Sequence, residues 1–183
     1  MSSTLTEQDG LVLLQTAREA IGARLARRGS RYPAPAASLS AHCGAFVTLK
    51  IEGRLRGCIG HITSSRALVE TIKEVALSSA FEDPRFSPLR AEEWGRVHLE
   101  ISVLSPFELV TDVSRIELGV HGIMIREGAH SGLLLPQVAA EQGWDRDTFL
   151  SHTCLKAGLP RDAWNRPQAR IEIFSAQVFA EKE

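Results

Sequence analysis

The stretch Gly44-Ala-Phe-Val-Thr-Leu-Lys-Ile-Glu-Gly-Arg-Leu-Arg-Gly-Cys-Ile-Gly60 decides the fold of this chain. In its first half every second residue is apolar: Ala45, Val47, Leu49 and Ile51. This period of two predicts a β-strand buried on one side. Glu52 and Gly53 predict a tight turn, after which residues 54–59 return as a second strand. We expect that strand to have one face with Leu55, Gly57 and Ile59 and another with Arg54, Arg56 and Cys58.

Helices and further strands surround this hairpin. Apolar spacing of three and four predicts helices over about 6–28, from Ser64 or Ser65 to Ala80, and from Asp145 to Ala157. Alternation predicts a strand at 97–103, a hairpin at 121–135 and a last strand at 169–180. No strand is followed by the regular crossover helix of a parallel sheet. The sequence therefore predicts an α+β fold, with antiparallel sheets and packed helices, as one domain over residues 1–183.

Composition excludes several classes of protein. The 183 residues are 44% hydrophobic and 23% charged, which excludes disordered and fibrous chains. The net charge of -1 argues against a protein that grips nucleic acid or an anionic membrane through bulk charge. Residues 1–10 do not resemble a secretory signal, no apolar run is long enough to span a bilayer, and three cysteines suit reduced thiols. We therefore expect a soluble, cytoplasmic protein.

The segment around Cys58 is the strongest candidate for chemistry. Gly57 and Gly60 lie close to the cysteine, so backbone amides there can approach a ligand. Arg56 is predicted on the same strand face, where a guanidinium would favour the reactive thiolate. The alternative is that Cys58 is a small buried residue in a tight hairpin, since free cysteine is among the most buried side chains.

The run Leu55-Arg-Gly-Cys-Ile-Gly60 resembles the signature of the AMMECR-type domain family, known in prokaryotes as AmmeMemoRadiSam system protein A. Further stretches of the chain match the family in order: 44–50, 81–86, 100–106, 121–122, 132–138 and 152–159. The resemblance implies an α+β fold with two unequal lobes, the smaller within about 107–165 and both termini in the larger. It also implies a Memo-like protein and a radical-SAM protein as partners, and no settled reaction.

Three more residues are candidates for a site with Cys58. Glu100 projects from a predicted strand, in a segment that the resemblance covers, and is either a cleft carboxylate or a solvated residue. His152 lies on a predicted helix and completes a nucleophile–base arrangement only if the fold brings it to Cys58. Arg85, in Asp83-Pro84-Arg85, either pins neighbouring backbone or clamps an anion.

Metal and cofactor motifs are missing from the sequence. Cys58 and His61 have a suitable spacing for one pair of metal ligands, but a structural zinc site needs four. No glycine-rich nucleotide motif or H-E-x-x-H is present. The basic cluster Arg24, Arg27, Arg28 and Arg31 suits a helix end, and RNA binding would need interleaved aromatics, of which only Tyr32 is near. We predict no metal site, no cofactor and no nucleic-acid partner.

Two functions remain open from the sequence. In the first, the protein is an enzyme or catalytic component that uses Cys58 on a small anionic or carbonyl substrate. Arg56, Gly57, Gly60 and Arg85 would bind the substrate, and Glu100 or His152 would move protons. In the second, the 55–60 hairpin is a docking surface for the Memo-like or radical-SAM partner, and Cys58 is a packing residue.

Overall fold

The computed structural model describes residues 4–182 and has the predicted α+β fold. The helices are α1 (Glu7–Leu25), α2 (Leu68–Phe81), α3 (Ala91–Trp94), α4 (Pro136–Gln142) and α5 (Arg146–Lys156). The strands are β1 (Ala45–Ile51), β2 (Arg54–His61), β3 (Val97–Leu104), β4 (Glu108–Val110), β5 (Gly122–Glu127), β6 (His130–Leu134), β7 (Arg170–Phe174) and β8 (Ala176–Ala180). Single 3-10 turns lie at Ala37–Ser40, Val113–Arg115 and Ala163–Asn165.

The chain divides into two compact units. Within the described residues, unit 1 comprises 4–104 and 177–182, and unit 2 is Ser105–Ala176. Sheet A, in the order β2-β1-β3-β8, belongs to unit 1, although the first residue of β8 is counted with unit 2. Sheet B, in the order β4-β7-β5-β6, belongs to unit 2. The resemblance predicts a smaller lobe within about 107–165, and unit 2 begins earlier and ends later than that range.

Unit 1 is built on the apolar face that β1 was predicted to have. Ala45, Val47 and Leu49 are completely buried, and the core that contains them includes residues of both α1 and α2. Thr6 begins α1 with a capping box, in which its hydroxyl accepts the Asp9 amide and the Asp9 carboxylate accepts the Thr6 amide. The helices therefore occupy one face of sheet A, and the other face carries the alternate, more polar residues.

A β-bulge at Arg56 sets which residues of β2 reach that polar face. Glu52 and Gly53 both have positive φ, which is typical of the two-residue hairpin turn, and Ile51 pairs with Arg54. Continued without interruption, that register would place Cys58 opposite Val47, on the core face. Instead the pairing skips one residue, so that Leu49 pairs with Gly57 and Thr48 pairs with Cys58. A shift of one residue moves a side chain to the opposite face of a sheet.

The predicted face assignment of β2 is therefore wrong at its start. Leu55 is opposite Lys50 and is 43% exposed, so it does not share the buried face of Gly57. Arg56 is the extra residue of the bulge and has no partner in the β1–β2 register. The bulge places Gly57 instead of Arg56 opposite the buried Leu49, so that Gly57 and Ile59 lie on the helix side.

Unit 2 repeats the same layering on its own sheet. Ile123 and Ile125 of β5 are completely buried in a core with Phe149, Leu150 and Cys154 of α5. Asp145 caps α5 by accepting the Thr148 amide, as the sequence predicts. Gly132 of β6 allows the close approach of the α5 end, because a Cβ there would lie 2.3 Å from the Ala157 nitrogen.

Three predicted elements need correction. The single last strand over 169–180 is wrong: it is two strands, β7 in sheet B and β8 in sheet A, separated at Ser175. Helix α2 begins at Leu68 rather than at Ser64 or Ser65, since the Ser64 hydroxyl accepts the Arg66 amide in a local turn. Helix α1 ends at Leu25, before the expected stop at Gly29, and Arg27 adopts a positive φ.

Candidate functional site

Three polar side chains form a row across the polar face of sheet A. Thr48, at the centre of β1, pairs with Cys58 on one neighbouring strand and with Glu100 on the other. Residues directly opposite each other in an antiparallel sheet project to the same face. Because neighbouring strands lie about 4.8 Å apart, the row spans about 10 Å from the Cα of Cys58 to that of Glu100.

Thr48 contacts the sulfur of Cys58 directly. Its hydroxyl donates a hydrogen bond to Sγ, with the two atoms 3.2 Å apart. Both residues are half-buried. The contact therefore fixes the position of the sulfur beside the Thr48 hydroxyl on the polar face.

Glu100 is held in place by a lysine of the central strand. The Lys50 ammonium lies 2.9 Å from Oε2 of Glu100, with side chains 39% and 22% exposed respectively. Lys50 is two residues from Thr48 on β1, and both therefore project to the same face. The polar face thus combines a thiol, a hydroxyl, a carboxylate and an ammonium group.

The outer edge of β2 is occupied by side chains from the turn after α2. The buried Asp83 carboxylate accepts the Cys58 amide at 2.9 Å, and the Arg85 guanidinium donates to the Cys58 carbonyl at 3.1 Å. The two side chains also pair with each other at 2.7 Å. Arg85 holds the pKa of the Asp83 carboxyl well below its usual range, mainly through this hydrogen-bonded pair. The predicted pinning role of this turn is what the contacts show, and the pinned backbone is that of the cysteine.

The two glycines beside Cys58 are required by packing. A Cβ on Gly57 would lie 2.2 Å from the Ser79 carbonyl oxygen of α2, and one on Gly60 would lie 2.4 Å from the Ala45 carbonyl oxygen. The Ser79 hydroxyl also bridges the hairpin, accepting the Ile59 amide and donating to the Val47 carbonyl. The amides of Cys58 and Ile59 are therefore already hydrogen-bonded within unit 1.

Arg56 points to other partners than the one expected. Its guanidinium forms a two-bond ion pair with Glu93, at 2.8 and 3.0 Å, and donates to the Ser87 carbonyl. The same pair lowers the pKa of Glu93. No hydrogen bond joins Arg56 to Cys58 in the part of the chain that the structure describes. The bulge explains this placement, since Arg56 has left the regular alternation of β2.

His152 and Cys154 belong to unit 2, whereas Cys43 belongs to unit 1 and precedes β1. His152 belongs to α5 of unit 2, where its ring stacks on Trp144 with centroids 4.0 Å apart. Cys154, on the same helix, is completely buried as expected for a core residue, and burial raises the pKa of its thiol. Burial likewise raises the pKa of the half-buried Cys43 thiol. The structure thus groups Cys58, Glu100 and Arg85 in unit 1, while His152 contributes to a stacked pair in unit 2.

Sequence reasoning missed Thr48 and Lys50, the two β1 residues of the site. Both alternate with the apolar residues of β1, so the pattern places them on the polar face. Their partners follow only from the register, which the bulge at Arg56 determines. The signal that was available is negative: an uninterrupted register from the Glu52–Gly53 turn would place Arg56 opposite the buried Leu49, which is unfavourable.

Residues 4–182 have neither a membrane-spanning helix nor a cluster of metal ligands. No helix in this range is long and apolar enough to cross a membrane. Within the same residues, no group of three or more histidine, cysteine, aspartate or glutamate side chains is arranged to hold a metal ion.

The chain is similar to known proteins over most of its length. The AMMECR1 family model matches residues 14–179. The protein MK0488 of Methanopyrus kandleri is 46% identical over 194 aligned positions, which cover 100% of this chain and 93% of that protein. The crystal structure of the uncharacterized protein PH0010 from Pyrococcus horikoshii is 38% identical with a TM-score of 0.88, covering 97% of this chain and 94% of that one. The chain therefore belongs to the AMMECR1 family, as the resemblance predicted.

Proposed function

We propose that the polar face of sheet A is the active site of an enzyme in which Cys58 adds to a small carbonyl compound. The observation that carries this proposal is the hydrogen bond from Thr48 to Sγ of Cys58, in register with Glu100 on the next strand. A cysteine that served only in packing would not need a hydroxyl hydrogen-bonded to its sulfur on the polar face of sheet A, opposite the helices.

The proposed step is the addition of the thiol across a carbonyl group. A bond forms between Sγ and the carbonyl carbon, the π electrons of the carbonyl move to its oxygen, and the thiol proton finishes on that oxygen. The product is a hemithioacetal, and no oxidant or second reactant is consumed. Glu100 is the carboxylate available to carry the proton, and the Lys50 ammonium has donors to stabilise the oxygen, because it uses only one of three for Glu100.

The arginines have a different part in this proposal from the one predicted. Arg56 is paired with Glu93 and donates to the Ser87 carbonyl, and Arg85 is paired with Asp83 and donates to the Cys58 carbonyl. We assign them to holding the backbone of β2, and we assign the recognition of a negatively charged substrate group to Lys50. Gly57 and Gly60 keep β2 close to its neighbours, and His152 is not required for the step.

A docking function is the second candidate, and one observation favours it. Leu55 is 43% exposed beside the site, on a strand whose other edge is fixed by Asp83 and Arg85. A rigid strand with an exposed leucine suits a protein partner, and the resemblance implies Memo-like and radical-SAM partners. The two functions are compatible, because Leu55 precedes the bulge and Cys58 follows it.

Alkylation of the folded protein tests whether Cys58 is activated. Iodoacetamide modification, followed by peptide mass spectrometry at pH 7, compares Cys58 with the equally half-buried Cys43. We expect Cys58 to react about tenfold faster, since thiolate character and access set the rate. Thr48→Val should slow Cys58 several-fold and Thr48→Ser should restore the rate, because serine keeps the hydroxyl.

The control is the rate at Cys43, which Thr48→Val should leave unchanged. Equal rates at the two cysteines would refute the activated thiol. A Cys58 rate that is identical in the wild type and in Thr48→Val would show that the Thr48 contact has no chemical effect.

A further inference from the structure

A groove on the outer side of α1 gathers residues that are distant in sequence. Two adjoining cavities, of about 490 and 540 Å³, share Glu19, Arg28 and Arg31 as lining residues. The first is also lined by Tyr32 and Trp94. These volumes fall in the usual range for small-molecule sites. Neither cavity is lined by Cys58, and all of their lining residues belong to unit 1.

Trp94 lies flat against α1 in this groove. The Arg18 guanidinium carbon is 4.4 Å from the centre of its ring, and a Cβ on Gly22 would lie 3.4 Å from its Nε1. Arg18 and Gly22 are four residues apart, so they lie on the same side of the helix, and both are close to the Trp94 ring. Trp94 lines the 490 Å³ cavity together with Arg18 and Gly22. Arg18 is itself fixed by its ion pair with Glu181.

The arginines Arg28 and Arg31 of the groove differ in their ion pairing. Arg28 is bound by Glu19 through two hydrogen bonds, and this pair lowers the pKa of Glu19 to about 2. The Glu19 carboxylate also accepts the main-chain amide of Arg31, which fixes the loop that carries this arginine. No carboxylate among residues 4–182 pairs with the Arg31 side chain, which is exposed. The groove thus has an aromatic side chain, Trp94, and an arginine side chain without an ion partner in residues 4–182 among its lining residues.

We infer that this groove binds a nucleoside monophosphate, with the base against Trp94 and the phosphate on Arg31. Aromatic faces stack on every base, and arginine suits phosphate because its planar fork donates two parallel hydrogen bonds. The sequence places only Tyr32 near the basic cluster, but the fold adds Trp94 from α3, and so supplies the aromatic that nucleotide binding requires. The near-neutral net charge is consistent with a small ligand rather than a long anionic polymer.

Isothermal titration of the full chain with adenosine 5′-monophosphate tests the site. We expect saturable binding with a dissociation constant below about 1 mM. Binding should weaken as salt is added. Arg31→Ala and Trp94→Leu should each weaken binding about tenfold. Arg161→Ala, an exposed arginine of unit 2, is the matched control and should leave it unchanged. Arg31 is exposed, so its variant keeps the test valid even if Trp94→Leu fails to fold.

Single-stranded oligoadenylate and inorganic phosphate are two further probes, which distinguish the possible ligands of the groove. A single-stranded oligoadenylate that binds no tighter than the monophosphate identifies the free nucleotide as the ligand. An oligoadenylate that binds more than about tenfold tighter, with the same loss in Arg31→Ala, identifies the single strand as the source. Absence of monophosphate binding, equal binding of inorganic phosphate, or unchanged binding in Arg31→Ala would each overturn the inference.

Discussion

Sheet A and sheet B each have four strands and pack one face on helices, yet they use a buried carboxylate in opposite ways. In sheet A, both Asp83 oxygens are hydrogen-bonded, to the Arg85 side chain, the Arg85 amide and the Cys58 amide. In sheet B, Glu172 lies 3.2 Å from Arg126 and 3.4 Å from Arg170, and its buried Oε2 has no hydrogen-bond partner in residues 4–182.

This difference shows what each carboxylate does. Asp83 replaces the missing neighbour of an edge strand and fixes the backbone of Cys58, so its role is geometric. Glu172 neutralises Arg126 and Arg170, which are cross-strand partners and would otherwise be two like charges directly opposite each other. The stability lost on removing Asp83 should come from broken hydrogen bonds. The stability lost on removing Glu172 should depend on how far salt screens the two arginines.

Removal of Asp83 should have the largest effect on stability. In Asp83→Ala, the Cys58 amide loses its acceptor and Arg85 loses its ion partner, so we expect a loss of about 3 kcal/mol in the free energy of unfolding. Urea denaturation followed by circular dichroism measures this loss. Asp147→Ala, in the exposed first turn of α5, is the control and should cost less than about 1 kcal/mol. A loss no larger than that of the control would contradict the role given to Asp83.

The same carboxylate predicts how stability depends on pH. Because the pKa of Asp83 is lower in the folded chain than in the unfolded one, its contribution is complete above the unfolded value of about 4. The contribution is lost as the pH falls from there through the folded-state value. Wild-type stability should therefore drop more steeply than that of Asp83→Asn below about pH 4. Parallel curves would show that Asp83 is not linked to folding.

Glu172 should give a smaller effect that depends on salt. In Glu172→Gln the two facing arginines keep their charge without a counter-ion, and we expect a loss of about 1 kcal/mol at low ionic strength. The loss should shrink in 1 M NaCl, where the repulsion is screened. Glu108→Gln removes a carboxylate from an exposed pair with Arg115 and should change stability little at any salt concentration. A loss for Glu172→Gln that is independent of salt would make it resemble Asp83.

Local patterns in the sequence predicted those features of the two sheets that depend on neighbouring residues. The alternation in β1 identified the buried face, and Asp145 identified the start of α5. The bulge at Arg56 was not predictable from alternation alone, because it is the cost of burying charge that favours it over an uninterrupted register. It decides that Cys58 meets Thr48 instead of entering the core.

Contacts between distant segments account for the remaining differences. Asp83 was expected to pin nearby backbone; it accepts the neighbouring Arg85 amide and also the Cys58 amide, 25 residues earlier in the chain. The last strand was predicted as one because its alternation has no obvious stop, whereas the chain changes sheets at Ser175. Local sequence does not show which unit a helix joins, and His152 belongs to unit 2 whereas Cys58 belongs to unit 1. Each of these outcomes is decided by tertiary packing rather than by local preference.

The central claim is that Cys58 adds to a carbonyl compound, and ¹³C NMR measures that adduct directly. The protein is titrated with glyoxylate carrying ¹³C at its aldehyde carbon, which combines a carbonyl with a negative charge for Lys50. We predict one equivalent of a hemithioacetal resonance in the wild type and in Cys43→Ser, and none in Cys58→Ser. A wild-type spectrum without this resonance, or a resonance that persists in Cys58→Ser, would contradict the account.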